Sequence, residues 1–193
     1  MIHHLRGKLI EKSPAHVVLE CGGVGYYVHI SLTTYSALSD GEALQLFTHP
    51  VYREDAQLLY GFHTTSERDV FLLLLSVSGV GANTARLILS AMNPSETVNI
   101  IASGDSGTLQ RIKGIGAKTA QRIVVDLRDK VTGVDIGSSA TAAGSGSLRT
   151  ESIEALLVLG FPKAAVEKAV ASVLAEEEPQ SVEDVIKSTL SRL

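Results

Sequence analysis

Hydrophobic and polar positions alternate through residues 16–30. Val17, Leu19 and Cys21 fall on one face of "HVVLEC", and Tyr26, Val28 and Ile30 on one face of "VGYYVHI". Successive side chains of a strand point to opposite faces, so this alternation predicts half-buried β-strands. The Gly22-Gly23 pair between the two runs predicts a hairpin turn. "IHHLRGKLIEK" predicts an earlier strand, and "EALQLFTHPVY" with "AQLLYGF" a later pair.

From Ser66 the hydrophobic period becomes helical. Ser66 with Asp69 predicts a cap, and Phe71–Leu75 supply a buried face. "NPSE" predicts a second start, with Asn93 as N-cap, Pro94 in the first helical position and Glu96 in the third. Ser103-Gly104 ends that helix, and Gly133 ends one that begins near Ala117. Residues 133–147, "GVDIGSSATAAGSGS", almost lack bulky apolar side chains and predict a flexible linker with a reach of roughly 20 Å. Beyond it, "TESIEALLVLGF", "PKAAVEKAVASVLAEEE" and "SVEDVIKSTLSRL" predict three short helices.

The expected fold is multi-domain α+β. Residues 1–64 form a small closed or nearly closed β-barrel, of which the OB-fold is a common type. Residues 65–132 form an all-α domain, 133–147 the linker, and 148–193 a small three-helix domain.

Composition narrows the chemistry. The lone Cys21 excludes an internal disulfide framework and any multi-cysteine metal site. The six histidines show no metal-like pairing beyond His3-His4, whose side chains leave a strand on opposite faces. No apolar run is long enough to span a membrane, and "MIHHLRGKL" lacks the parts of a secretory signal, so a cytoplasmic protein is expected. The net charge of −4 is unevenly spread. Residues 65–132 carry eight basic and six acidic groups and are the only net-positive third. From Ser106 to Val125 stand Arg111, Lys113, Lys118 and Arg122 without an acid. A polyanion responds to that local field rather than to the total, so the acidic balance does not exclude DNA.

The most informative pattern is a repeat. "GVGANTARLILS" (79–90) and "GIGAKTAQRIVV" (114–125) share six of twelve positions. Two glycines around one apolar residue predict a tight turn with outward backbone N–H groups and no side chain to obstruct approach. The following helix N-terminus adds partial positive charge, so the turn can seat a phosphate oxygen. The expected contacts in the first copy are Gly79, Val80, Gly81, Asn83, Thr84 and Arg86. In the second they are Gly114, Ile115, Gly116, Lys118, Thr119 and Arg122. Val80 and Ile115 anchor each turn inward, while the polar side chains lie beside the phosphate. A glycine turn joining two packed helices is the plain alternative for either copy alone. Neither copy has the spacing of a nucleotide-binding phosphate loop. Backbone-to-phosphate contacts carry no base code, so recognition of shape is expected.

These turns resemble helix-hairpin-helix motifs, the phosphate-gripping units of many DNA repair proteins, here in tandem. With "REDAQLLYGF" (53–62), "GGVGYYVHI" (22–30) and "MIHHLRGKLIEK", the chain is similar from end to end to the RuvA family of bacterial Holliday-junction branch-migration proteins. The resemblance implies an OB-fold barrel, tandem hairpins, a loose linker and a UBA-like tail. It implies a flat homotetramer, one or two per four-way junction, that holds the DNA open and planar. It also implies recruitment of the hexameric RuvB ATPase and a shared junction with the RuvC resolvase, in recombination, repair and the SOS response. Such proteins hydrolyse nothing themselves and need no cofactor, ATP being used by the motor.

Two further assignments rest on the resemblance. Glu54 and Asp55, by themselves ordinary acids of an exposed turn, coincide with the family's acidic pin, which repels phosphates at the crossover. Leu156, Leu159, Phe161 and Leu190 match the family's RuvB-binding domain, although three short helices also need leucines inside. One rival reading is a DNA glycosylase: "GIGAKTA" also resembles the endonuclease III hairpin, with Lys118 as nucleophile. Its aspartate would be Asp135, inside the linker, and the lone Cys21 excludes that family's four-cysteine cluster. An accessory DNA-binding module of a nuclease would share the hairpins but not the barrel with its acidic turn.

Overall fold

The strand-forming third closes on itself. The computed structural model describes residues 1–39, 43–131, 145–176 and 181–192, the side chains of 145–147 excepted. Strands β1 (His4–Lys12), β2 (His16–Cys21) and β3 (Val24–Ile30) are followed by a short helix, α1 (Leu32–Ala37), and by β4 (Ala43–Tyr52) and β5 (Gln57–Phe62). Their order around the closed barrel is β1-β2-β3-β5-β4, with only β3 and β5 parallel. Gly22 and Gly23, both at positive φ, make the β2–β3 turn. The alternating set Val17, Leu19, Val28, Ile30 and Leu46 fills the interior. Ile10 bulges from β1 between Leu9 and Glu11, where the register against β2 shifts.

Helix α1 has no counterpart in the expectations from sequence. Its β-branched "LTT" start reads as strand or loop. Ser31 nevertheless caps it, accepting the Thr34 N–H at 2.9 Å.

Then come α2 (Thr65–Leu75), α3 (Ala82–Ala91), α4 (Pro94–Ser103), α5 (Ser106–Gln110) and α6 (Ala117–Val131). The cap of α2 is Thr64, not Ser66: the Thr64 hydroxyl accepts the Glu67 N–H at 3.1 Å. Glu67 does not return to close a capping box, because its carboxylate accepts the Ser31 and Thr34 hydroxyls at the start of α1. Asn93 and Glu96 do close one at α4, each side chain accepting the other's backbone N–H at 2.9 Å. Gly104, left-handed at φ 80°, ends that helix. Gly133 lies outside the described residues. The expected buried face of α2 is narrower than Phe71–Leu75: Phe71 and Leu74 are buried, whereas Leu72 is exposed.

Barrel and helices share a core. Tyr60 and Phe62 of β5 pack with Phe71, Leu74, Ile88 and Leu127, and the Phe62 and Phe71 rings lie 4.8 Å apart. Polar bonds add to this seam through the start of α1. The Ser31 and Thr34 hydroxyls both donate to the Glu67 carboxylate. Thr33 donates to the Leu89 carbonyl at 2.6 Å, and the Leu32 N–H donates to the Ser90 hydroxyl at 3.1 Å.

The C-terminal unit has its own core of Leu156, Val166, Val170, Val173 and Val185 on α7 (Ser145–Val158), α8 (Lys163–Glu176) and α9 (Val182–Leu190). Helix α7 begins within the stretch expected as linker, so residues 145–147 are helical. The rest of that stretch lies outside the described residues.

Candidate nucleic-acid interface

The two copies of the repeat build the same turn, bond for bond. After α2, the Val77 N–H donates to the Leu74 carbonyl and the Val80 N–H to that of Val77; after α5, Ile112 and Ile115 do the same onto Leu109 and Ile112. The third bond is also shared, Ala85 N–H to the Gly81 carbonyl at 2.9 Å and Ala120 N–H to that of Gly116 at 3.0 Å. Val80 and Ile115 are buried between exposed glycines.

The glycines divide their roles. Gly79 and Gly114 sit at φ +89° and +90°, a conformation that side chains with a Cβ resist. Gly81 has φ −88° and ψ 167°, open to any residue, and Gly116 also avoids positive φ. A Cβ at Gly81 or Gly116 would meet nothing within 4 Å. Only the first glycine of each pair is therefore required by the backbone, contrary to the expectation that both shape the turn. The fold makes no such demand at 81 and 116, where a Cβ would project into open space.

The start of α3 is bare. Helices α2, α4 and α5 are capped by Thr64, Asn93 and Asp105, whereas no side chain caps α3 at Gly81. Neither α3 nor α6 has an acid in its first turn. Uncapped N–H groups and an unopposed helix dipole favour an anion there.

The flanking side chains vary. Lys118 and Asn83 are exposed, Thr84 and Thr119 half-buried. Arg122 is 56% exposed; it reaches back to the Ser78 carbonyl at 3.4 Å, joining the second hairpin to the first. Arg86 departs from expectation. Its Nη1 donates to the Ala15 and Ile30 carbonyls at 3.1 and 3.3 Å, and its Nη2 to Asn83 Oδ1 at 2.9 Å. The guanidinium is turned onto the barrel, because the ends of β3 and the β1–β2 loop offer it two carbonyls that the sequence did not reveal. Beside it, burial pushes the His29 imidazole below its ordinary pKa, and Arg86 and His16 add to that.

Glu54 and Asp55 are exposed on the β4–β5 turn, which closes through an Arg53 N–H to Ala56 carbonyl bond of 2.8 Å. In the tail, of the four apolar candidates, Leu156 is fully buried and Phe161 partly so, both belonging to the core that three short helices need. Gly160 at φ +94° ends α7 in a Schellman turn. Its N–H bonds to the Leu157 carbonyl, and that of Phe161 to the Leu156 carbonyl. That turn packs its following residue back onto the last helical turn, which places Phe161 with Leu156 in the tail core. Leu159 is 62% and Leu190 42% exposed; Val158, missed from sequence, is 88% exposed.

Among the described residues, no group of three or more His, Cys, Asp or Glu side chains could hold a metal ion. None of their helices is long and apolar enough to cross a membrane. Asp135, the aspartate of the glycosylase reading, lies outside the described residues.

Residues 1–61 match the family described as RuvA N terminal domain, 71–129 the SAM-like helix-hairpin-helix tandem, and 147–193 the RuvA, C-terminal domain. The Holliday junction branch migration complex subunit RuvA of Christiangramia forsetii is 48% identical over 193 residues, with 100% of both chains covered. Proteins of the same name from Flavobacterium psychrophilum and Bacteroides fragilis are 47% and 46% identical, again across 100% of both chains.

Proposed function

The chain belongs to the RuvA family, and from that premise we propose how it serves as the non-catalytic DNA-binding subunit of a Holliday junction branch migration complex. The observation that carries the proposal is the pair of glycine turns closed by matching backbone hydrogen bonds. Each presents an exposed, fold-dispensable glycine at a helix start, at residues 79–84 and 114–119. Two such turns, 35 residues apart, grip two backbone phosphates without reading bases.

In this reading Gly79, Val80 and Gly81 with Asn83 and Thr84 hold one phosphate. Gly114, Ile115 and Gly116 with Lys118 and Thr119 hold another, and Arg122 adds charge between them. Glu54 and Asp55 act as the pin. Their exposure at a turn tip supports a role in repelling phosphates where four backbones converge. Four copies assemble around the junction, one or two such tetramers to each, in the cytoplasm where the chromosome is. Residues 1–64 and 65–132 do the binding, and 133–147 tether the tail of 148–193. The tail recruits a RuvB-type hexameric ATPase, which consumes the ATP, through exposed Leu159 and Leu190 joined by Val158. A RuvC-type resolvase then acts on the same junction. The glycosylase and nuclease-module readings are not favoured, since the relatives align over the whole chain.

Branch migration of a synthetic four-way junction, with a RuvB motor and ATP supplied, tests this. Migration that requires the full chain is expected. Migration at the same rate without it would refute the assignment.

A further inference from the structure

We propose that Arg86 is a positioning residue: it locks the first glycine turn to the barrel that carries the acidic turn, and thereby sets the preference for junction over duplex without contacting phosphate. The inference rests on the DNA-binding reading above and extends it to specificity.

Three observations carry it. First, the charge at position 86 is not part of the repeated grip. The second copy has Gln121 at the equivalent place, while glycines, Thr and Ala are kept. Second, the guanidinium fork is already engaged on two barrel carbonyls and on Asn83, a residue of the turn's own helix start. Ala15 and Ile30 are also bonded to each other, Ile30 N–H to the Ala15 carbonyl at 3.1 Å, so Arg86 grips a closed corner rather than a loose loop. Third, the same corner is held from the other side. Glu67 on α2 accepts the hydroxyls of Ser31, which directly follows Ile30, and of Thr34 in the first turn of α1. The two helices flanking the first turn are α2 and α3. Each is clipped to residues 30–34, α2 by the Glu67 carboxyl group and α3 by the Arg86 guanidinium.

The consequence concerns discrimination. A duplex asks only that a hairpin reach a phosphate, and a loosely attached hairpin can do that. A junction asks that hairpin and pin meet phosphates at fixed separations, which requires a rigid joint between the modules that carry them. Specificity is the difference between the two affinities, so loosening the joint erodes one and spares the other.

The test compares full-length wild type, Arg86→Gln and Arg86→Lys for affinity to a four-way junction and to linear duplex, with the salt dependence of duplex binding measured for each. Lysine keeps the charge, but a single ammonium cannot replace a fork that spans two carbonyls and a carboxamide. Both variants are expected to keep duplex affinity within about twofold and an unchanged salt slope, since no phosphate contact is lost. Both are expected to bind the junction about tenfold more weakly, in line with lost hydrogen bonds to a charged group. A duplex salt slope reduced by about one phosphate in Arg86→Gln, with both affinities rescued by Arg86→Lys, would overturn the proposal. If Arg86→Gln does not fold, Arg86→Lys decides alone: wild-type junction preference refutes, and a lost preference supports. A wild-type chain with no junction preference sinks the functional reading instead, before either variant is compared.

Discussion

The Thr34 hydroxyl donates to the Glu67 carboxylate at 2.6 Å, joining the short helix after β3 to the first helix of the hairpin module. Ser31 donates to the same carboxylate, so a nearly inaccessible acid is held by two hydroxyls, with the backbone and the imidazole of His63 adding smaller support to its charged form. Burial outweighs those bonds and raises the Glu67 pKa above its ordinary 4.5. In the window between 4.5 and the raised value the folded state binds more protons than the unfolded one. Stability therefore falls as pH rises through that window, and the cost is fully present above it. Glu67→Gln removes this titration. Melting temperatures of the two proteins across acidic to neutral pH are expected to show a flatter profile for the variant, and parallel profiles would contradict the account.

The glycines of each hairpin are expected to separate in experiment. Gly79→Ala or Gly114→Ala forces a Cβ into positive φ and is expected to cost about 1–2 kcal/mol of stability. Gly81→Ala and Gly116→Ala meet open space, so their melting temperatures should stay near wild type while junction affinity drops about tenfold. Loss of stability at 81 and 116 without loss of binding would reverse the assignment.

Charge reversal at the β4–β5 turn is expected to help the wrong substrate. Glu54→Lys with Asp55→Lys replaces repulsion by attraction, so duplex affinity rises, by roughly threefold to tenfold, and the preference for a junction shrinks. Side-by-side titrations of the two DNAs read this directly. An unchanged preference would remove these residues from the pin role.

In the tail, Leu156→Ala is expected to destabilise its core by about 2–5 kcal/mol, because the side chain is fully buried. Leu159→Ala and Leu190→Ala should leave the tail folded and lower stimulation of the motor's ATPase on junction DNA. Removing residues 148–193 should abolish that stimulation and leave junction binding intact. A truncated chain that folds but no longer binds junctions would refute the division of labour.

Periodicity carried the barrel, the hairpin helices and the three tail helices, because in each the buried face dictates residue type at a fixed spacing. The glycine repeat carried the turns, since positive φ at 79 and 114 leaves a mark in sequence. What stayed hidden depends on partners far along the chain. Helix α1 is short and β-branched, and its bonds run to Glu67, Leu89 and Ser90. Arg86 reads as one more cation beside a phosphate site until Ala15 and Ile30 are seen beneath it. Thr64-x-x-Glu67 was the available signal for the α2 cap, and Ser66-x-x-Asp69 imitates it two residues later. Among the tail apolars, Gly160 marked where the helix ends, and so which of Leu156, Val158, Leu159 and Phe161 fold inward.

In the proposed function, two backbone grips recognise the shape of branched DNA. The most direct measurement is a competition between a four-way junction and linear duplex of the same length, repeated with scrambled arm sequences, with the mass of the bound assembly determined. The account predicts strong preference for the junction, affinity nearly unchanged by scrambling, steep weakening with salt and a bound mass of four or eight chains. Equal affinity for duplex, or an affinity that follows the arm sequence, would contradict it.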